Sequence, residues 1–127
     1  MPESLNPPRR FNRREIKQAL KSEHVELAEY LKRLPPKDTA SLAASMFNEL
    51  RLNDFTEYVF DCKDAINDIP EGEDDRREML DAISRVIVDR SKNKPVDKEK
   101  CLNLSLATYF LLVRVQEISS NFSRTLN

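Results

Sequence analysis

Few residues in this chain could do chemistry, and their surroundings limit what they could do. His24 is the only histidine, and Cys62 and Cys101 are the only cysteines. A single imidazole on or beside an apolar stripe, with no His/Asp pairing, reads as a half-buried, hydrogen-bonded side chain rather than a general base. Both thiols fall within apolar stripes beside small hydrophobes, where a cysteine behaves as a packing group and its thiolate is disfavoured. Two such cysteines are too few for a disulfide framework. No HExxH, CxxC, Walker A or GxSxG pattern occurs. The acidic stretch around Gly72 lacks the alternating ligands of a calcium loop, and Pro70 interrupts it. No catalytic residue, metal ligand or cofactor is expected, and the protein is expected not to be an enzyme.

What the chain holds in quantity is charge. Its formal net charge is -1, with 34% charged residues, but the signs are sorted along the sequence. Residues 1–37 carry 9 Lys/Arg and 5 Asp/Glu, a balance of +4. Residues 38–75 carry 2 and 11, or -9, and residues 76–127 carry 10 and 6, or +4. Near-neutrality therefore says little about what each face attracts.

Three charged groups have a definite pattern. Arg9, Arg10, Arg13, Arg14, Lys17 and Lys21 form a basic cluster, and helical spacing puts 10, 13, 14, 17 and 21 on one side, away from or flanking Ile16 and Leu20. The arginine fork suits phosphate oxygens, so this cluster is a candidate nucleic-acid backbone contact. Arginines at a helix start oppose the helix dipole, which lends weight to a functional reading; the alternatives are a solvated basic arm or one that pairs with the chain's own acidic third helix. Arg85, Arg90, Lys92, Lys94, Lys98 and Lys100 form a second cluster across a helix end and its linker. It is either a second backbone contact or ordinary stabilisation of a helix C-terminus. Aromatic residues are little interleaved in either cluster, so base stacking is not indicated and contact would be with the backbone and independent of base sequence. Glu57, Asp61, Asp64 and Asp68 follow +4, +3, +4 spacing, read as the face opposite the apolar one. Carboxylates so arranged could hold a metal or dock a basic protein, including another copy of this chain, or remain a solvated face, and docking is preferred to a metal.

Helices must carry these groups. There is one glycine, Gly72, so only one residue takes positive φ cheaply and tight hairpins are disfavoured. The seven prolines, at 2, 7, 8, 35, 36, 70 and 95, fall where apolar periodicity lapses. Residues 1–11 are expected to form an extended basic arm, and residues 12–127 a single helical bundle domain. A first helix starts at Asn12, with Glu15 completing a capping box, and a break near Ser22 would split it before Pro35. A second follows Asp38. A third is capped by Asp54 with Glu57 and buries Phe55, Tyr58, Val59, Cys62, Ile66 and Ile69. A fourth is capped by Asp75 with Glu78 and turns Leu80, Ile83 and Ile87 inward. Asp97 caps the last, which runs to about Asn121 and is apolar nearly all round between Cys101 and Ile118. The expected fold is all-α, a five- or six-helix bundle with this long apolar helix at its centre.

In size, helical pattern, absence of catalytic groups, the basic Arg9–Lys21 segment and the apolar Leu102–Val115 helix, the chain resembles the helical small subunit of CRISPR effector complexes. The resemblance is one of overall character across the chain, without a diagnostic motif. It implies a non-catalytic subunit that packs along the complex and stabilises guide–target pairing or the displaced strand. The implied partners are other protein subunits or copies of this chain, and nucleic-acid backbone. A protein-only adaptor or inhibitor that docks a basic partner through Glu57 to Asp68 is the alternative, and a homo-oligomer joined through the last helix is a third. Neither a membrane nor a small-molecule substrate is expected as a partner. The apolar runs are too short to span a bilayer and the first residues lack a secretory pattern, so a reduced, cytoplasmic location is expected.

Overall fold

The computed structural model describes residues 8–68, 76–92 and 94–126, with the side chains of the last helix described as far as Arg114. Six helices follow one another: α1 Arg13–Lys21, α2 His24–Arg33, α3 Pro36–Glu49, α4 Phe55–Asn67, α5 Arg76–Ser91 and α6 Lys98–Leu126. The protein is an all-α bundle, and no strand occurs among the described residues.

Local chemistry sets most helix ends. Asn12 accepts from the Glu15 amide and the Glu15 carboxylate accepts from the Asn12 amide, a complete capping box. Ser22 and Glu23 are extended, so the basic first helix does break there into α1 and α2. α3 begins earlier than its apolar pattern implies. Pro36 occupies the first helical turn, where proline's preset φ suits a helix and its missing N–H costs nothing. Asp38 is thus inside the helix, and its carboxylate accepts from the Arg9 amide at 2.9 Å. The Ser41 hydroxyl donates to the Arg9 carbonyl at 2.7 Å and Phe11 is buried, so the chain before α1 is strapped onto α3.

α4 is capped by Asp54, which accepts from the Glu57 amide, but the Glu57 carboxylate does not return the bond: it is drawn to Arg90 instead. Positive φ falls on Arg51, Asp54 and Lys92, so tight turns here are made by residues other than glycine. The Asp75–Glu78 cap, Ile69, Pro70 and the Gly72 loop lie outside the described residues. At α6, Asp97 accepts from the amides of Glu99 and Lys100 at 2.9 and 3.2 Å, and the helix continues beyond Asn121 to Leu126.

α6 packs against α1, α2, α3, α4 and α5. Leu104, Leu106 and Ala107 are fully buried with Leu20, Leu31, Leu42, Met46, Phe47, Tyr58, Ile83 and Ile87. Phe47 lies 4.7 Å from Tyr58 and 5.4 Å from Phe55, ring centre to ring centre, which joins α3 to α4. α6 is less uniformly apolar than its sequence implies. Asn103, Ser105 and Thr108 are buried, whereas Leu102 is 40% exposed. Val115 and Ile118 lie beyond the described side chains.

The buried polar groups of α6 are matched to the ends of other helices. The Asn103 amide nitrogen lies within hydrogen-bond distance of the carbonyls of Ala19, Leu20 and Ser22, at 3.2, 2.9 and 2.9 Å, and so donates to the C-terminal end of α1 and its cap, where carbonyls run out of intrahelical partners. Arg114 does the same for α2, donating to Leu31 and Lys32 at 3.3 and 2.9 Å. The hydroxyls of Tyr58 and Thr108 share a 2.8 Å bond in the core, and those of Ser84 and Ser105 a 2.9 Å bond.

Candidate functional site

The first basic cluster divides into bound and unbound members. Arg9 pairs with Glu15 at 2.6 Å, donates to the Tyr30 hydroxyl at 3.4 Å and lies over the Phe11 ring. Arg13 is exposed and 3.7 Å from Glu49. Arg14, Lys17 and Lys21 are exposed, follow +3, +4 spacing along α1, and have no ion pair or side-chain hydrogen bond among the described residues. Arg10 is also exposed and unpaired among those residues. Because α1 begins at Arg13, however, Arg10 belongs to the extended segment before it and not to the helical row that its spacing implies.

The acidic row is placed differently from its sequence reading. Glu57, Asp61, Asp64 and Asp68 are all exposed, but Glu57, Asp61 and Asp68 lie on the side of α4 that borders α5 rather than opposite the buried face. Arg90 of α5 reaches Glu57 at 3.1 Å and Asp61 at 3.3 Å and donates to the Asn53 carbonyl at 3.0 Å. Asp68 lines a cavity of about 560 Å³ with Asp81, Arg85 and Asp89 of α5. Helical geometry explains this, because residues 57, 61, 64 and 68 flank the Tyr58/Cys62 stripe on one side. The outermost side of α4 carries Phe60 instead, 60% exposed, three residues after Glu57 and four before Asp64. Its signal in the sequence is an aromatic residue off the buried stripe.

The second basic cluster is also divided. Arg90, only 15% exposed at its side chain, ties α4 to α5 and the α3–α4 turn and so offers no free guanidinium to a phosphate. Arg85 is exposed among Asp68, Asp81 and Asp89. Lys92, Lys94 and Lys98 rim a groove of about 1010 Å³ between α5 and the start of α6, floored by Val88, Pro95, Val96, Cys101 and Leu102. Lys100 is half-buried beside it, and neither it nor the three rim lysines has a side-chain partner among the described residues.

Burial disarms the nucleophiles. It pushes the Cys62 thiol up to about 12 and raises Cys101 as well. His24 is half-buried and its pKa is lowered, first by burial and then by the charge of Arg76. Its Nδ1 is buried without a hydrogen-bond partner, so the expected half-burial is found but the expected satisfaction is not met at that nitrogen. Among the described residues, no three His, Cys, Asp or Glu side chains are grouped to hold a metal ion. No described helix is long and apolar enough to cross a membrane. Set against known proteins, the chain matches no family model, no curated protein and no solved structure.

Proposed function

We propose that this protein is a non-catalytic helical subunit of a larger nucleoprotein assembly that contacts nucleic-acid backbone through α1. The observation that carries the reading is the exposed row Arg14, Lys17 and Lys21, which no described residue neutralises. Arg9, Arg13 and Arg90 each have a carboxylate close by, whereas the three cations of this row share one helix and remain open to an anion. Three cations on one helical side suit successive phosphates, and the absence of an aromatic platform beside them favours recognition of the backbone over the bases. The finer reading, a small subunit of an RNA-guided CRISPR interference complex with a cytoplasmic location, draws its support from size, helical character and this basic segment. The adaptor reading is weakened because Arg90 occupies Glu57 and Asp61, leaving Asp64 and Asp68 for a basic partner.

The test is binding to single- and double-stranded RNA and DNA oligonucleotides across a salt series. Affinity is expected to fall steeply with salt. Replacing Arg14, Lys17 and Lys21 by Glu is expected to flatten the log–log salt slope by roughly 2 to 3, at about 0.7 to 0.9 per lost phosphate contact. An affinity that ignores both salt and these substitutions removes the proposal.

A further inference from the structure

Two surfaces on this chain complement each other and do not meet within it. One is the outer side of α4, where Phe60 is 60% exposed with Asp64 and Lys63 within a helical turn of it. The other is the groove between α5 and the start of α6, where Val88 is 55% and Leu102 40% exposed beneath Lys92, Lys94 and Lys98. The first is an apolar knob on an acidic helix: after Arg90 has paired with Glu57 and Asp61, Asp64 and Asp68 still outnumber Lys63. The second is an apolar hollow of about 1010 Å³ rimmed by ammonium groups. The rim lysines outnumber the two carboxylates that also line the hollow, Asp81 and Glu99.

We propose that the Phe60 side of α4 seats in the α5–α6 groove of a second copy of this chain. Phe60 stands on the side of α4 away from its buried Tyr58/Cys62 stripe, whereas the groove lies between α5 and the start of α6, so Phe60 does not seat in the groove of its own chain. A large exposed aromatic next to acids, and an exposed aliphatic floor next to lysines, each lose apolar surface to water when joined, and their charges steer the approach. The two patches are different, so the contact is head-to-tail. Each copy keeps one free knob and one free groove, and growth continues into a chain or closes into a ring. The inference deepens the subunit reading by naming the neighbour, but it needs no nucleic acid.

The experiment is sedimentation velocity of the full chain without nucleic acid, over a concentration series at low and high salt. Species larger than the 14.8 kDa chain are expected at low salt and are expected to dissociate at high salt, where the lysine–carboxylate attraction is screened. Phe60→Ser removes the knob, and Val88→Glu with Lys94→Glu spoils the groove. All three positions are exposed, and unchanged helicity by circular dichroism confirms that the variants fold. Each variant alone is expected to lose the larger species. Mixed in equal amounts, they retain one intact knob and one intact groove and are expected to form a dimer and nothing larger. A wild-type protein that stays monomeric at low salt overturns the proposal, as does assembly that survives either variant or a mixture that does not rejoin. Loss of nucleic-acid binding with self-association intact sinks the phosphate reading alone.

Discussion

Asn103 shows how one polar side chain can organise a helical core. It is 1% exposed, a position where an amide is tolerated only if its hydrogen bonds are met. Its nitrogen meets the three carbonyls at the end of α1, where the chain turns through Ser22 and Glu23. Asn103→Leu keeps a comparable volume and removes the donor, leaving the Leu20 and Ser22 carbonyls without it while the Ala19 carbonyl keeps the Ser22 amide. A loss of about 1–3 kcal/mol of unfolding free energy is expected, read from urea denaturation. Tyr58→Phe is the control: it removes a buried hydroxyl, but Thr108 keeps its 2.8 Å bond to the Leu104 carbonyl, so a smaller loss is expected. If the two variants are equally stable, Asn103 is not fixing the α1 end.

Between elements, Arg90 has a comparable part. From α5 it contacts two carboxylates of α4 and the carbonyl of Asn53. Glu57 and Asp61 are substantially exposed, so each ion pair by itself is worth little; the guanidinium, however, is largely enclosed and holds a backbone group as well. Arg90→Met is expected to cost about 1–3 kcal/mol, while Glu57→Gln is expected to cost less than about 1 kcal/mol, both read from thermal or urea unfolding. A near-zero effect of Arg90→Met would show that α4 and α5 are joined by apolar packing alone. The sequence made the helices legible because their ends carry local signals: Asn12 with Glu15, the extended Ser22, Asp97 ahead of α6. The basic and acidic clusters were equally visible as patterns. Which members stay free was not, because Arg90 lies 29 positions from Asp61 and nothing local marks the pair. Asn103 was hidden for the same reason, since its carbonyl partners lie 81 to 84 residues away. Phe60 was legible as an apolar residue off its stripe, yet the conspicuous acids beside it drew the reading to charge.

Across the whole molecule, the alternation of basic, acidic and basic segments has two consequences. Part of it holds the chain together: Arg13 approaches Glu49, the Arg9 amide is bound by Asp38, and Arg90 reaches Glu57 and Asp61, each joining a basic segment to the acidic middle. What remains is an unneutralised cationic row on α1 and a separate pair of surfaces on α4 and α5–α6, with no residue in common. If the row holds phosphates and the pair joins copies, the two properties separate by mutation. Binding to a long single strand by the wild-type protein is expected to be cooperative, with a Hill coefficient above about 1, since neighbours on the strand also touch each other. Phe60→Ser is expected to abolish that cooperativity while leaving the affinity for an oligonucleotide long enough for only one copy unchanged. Glu substitutions at Arg14, Lys17 and Lys21 are expected to weaken binding to both lengths while leaving self-association in the absence of nucleic acid intact. Fluorescence anisotropy on the two lengths measures all of the binding terms. Should Phe60→Ser weaken the short oligonucleotide as strongly as the charge reversals do, knob and row act as one surface, and the division of labour drawn here between phosphate contact and copy-to-copy contact does not hold.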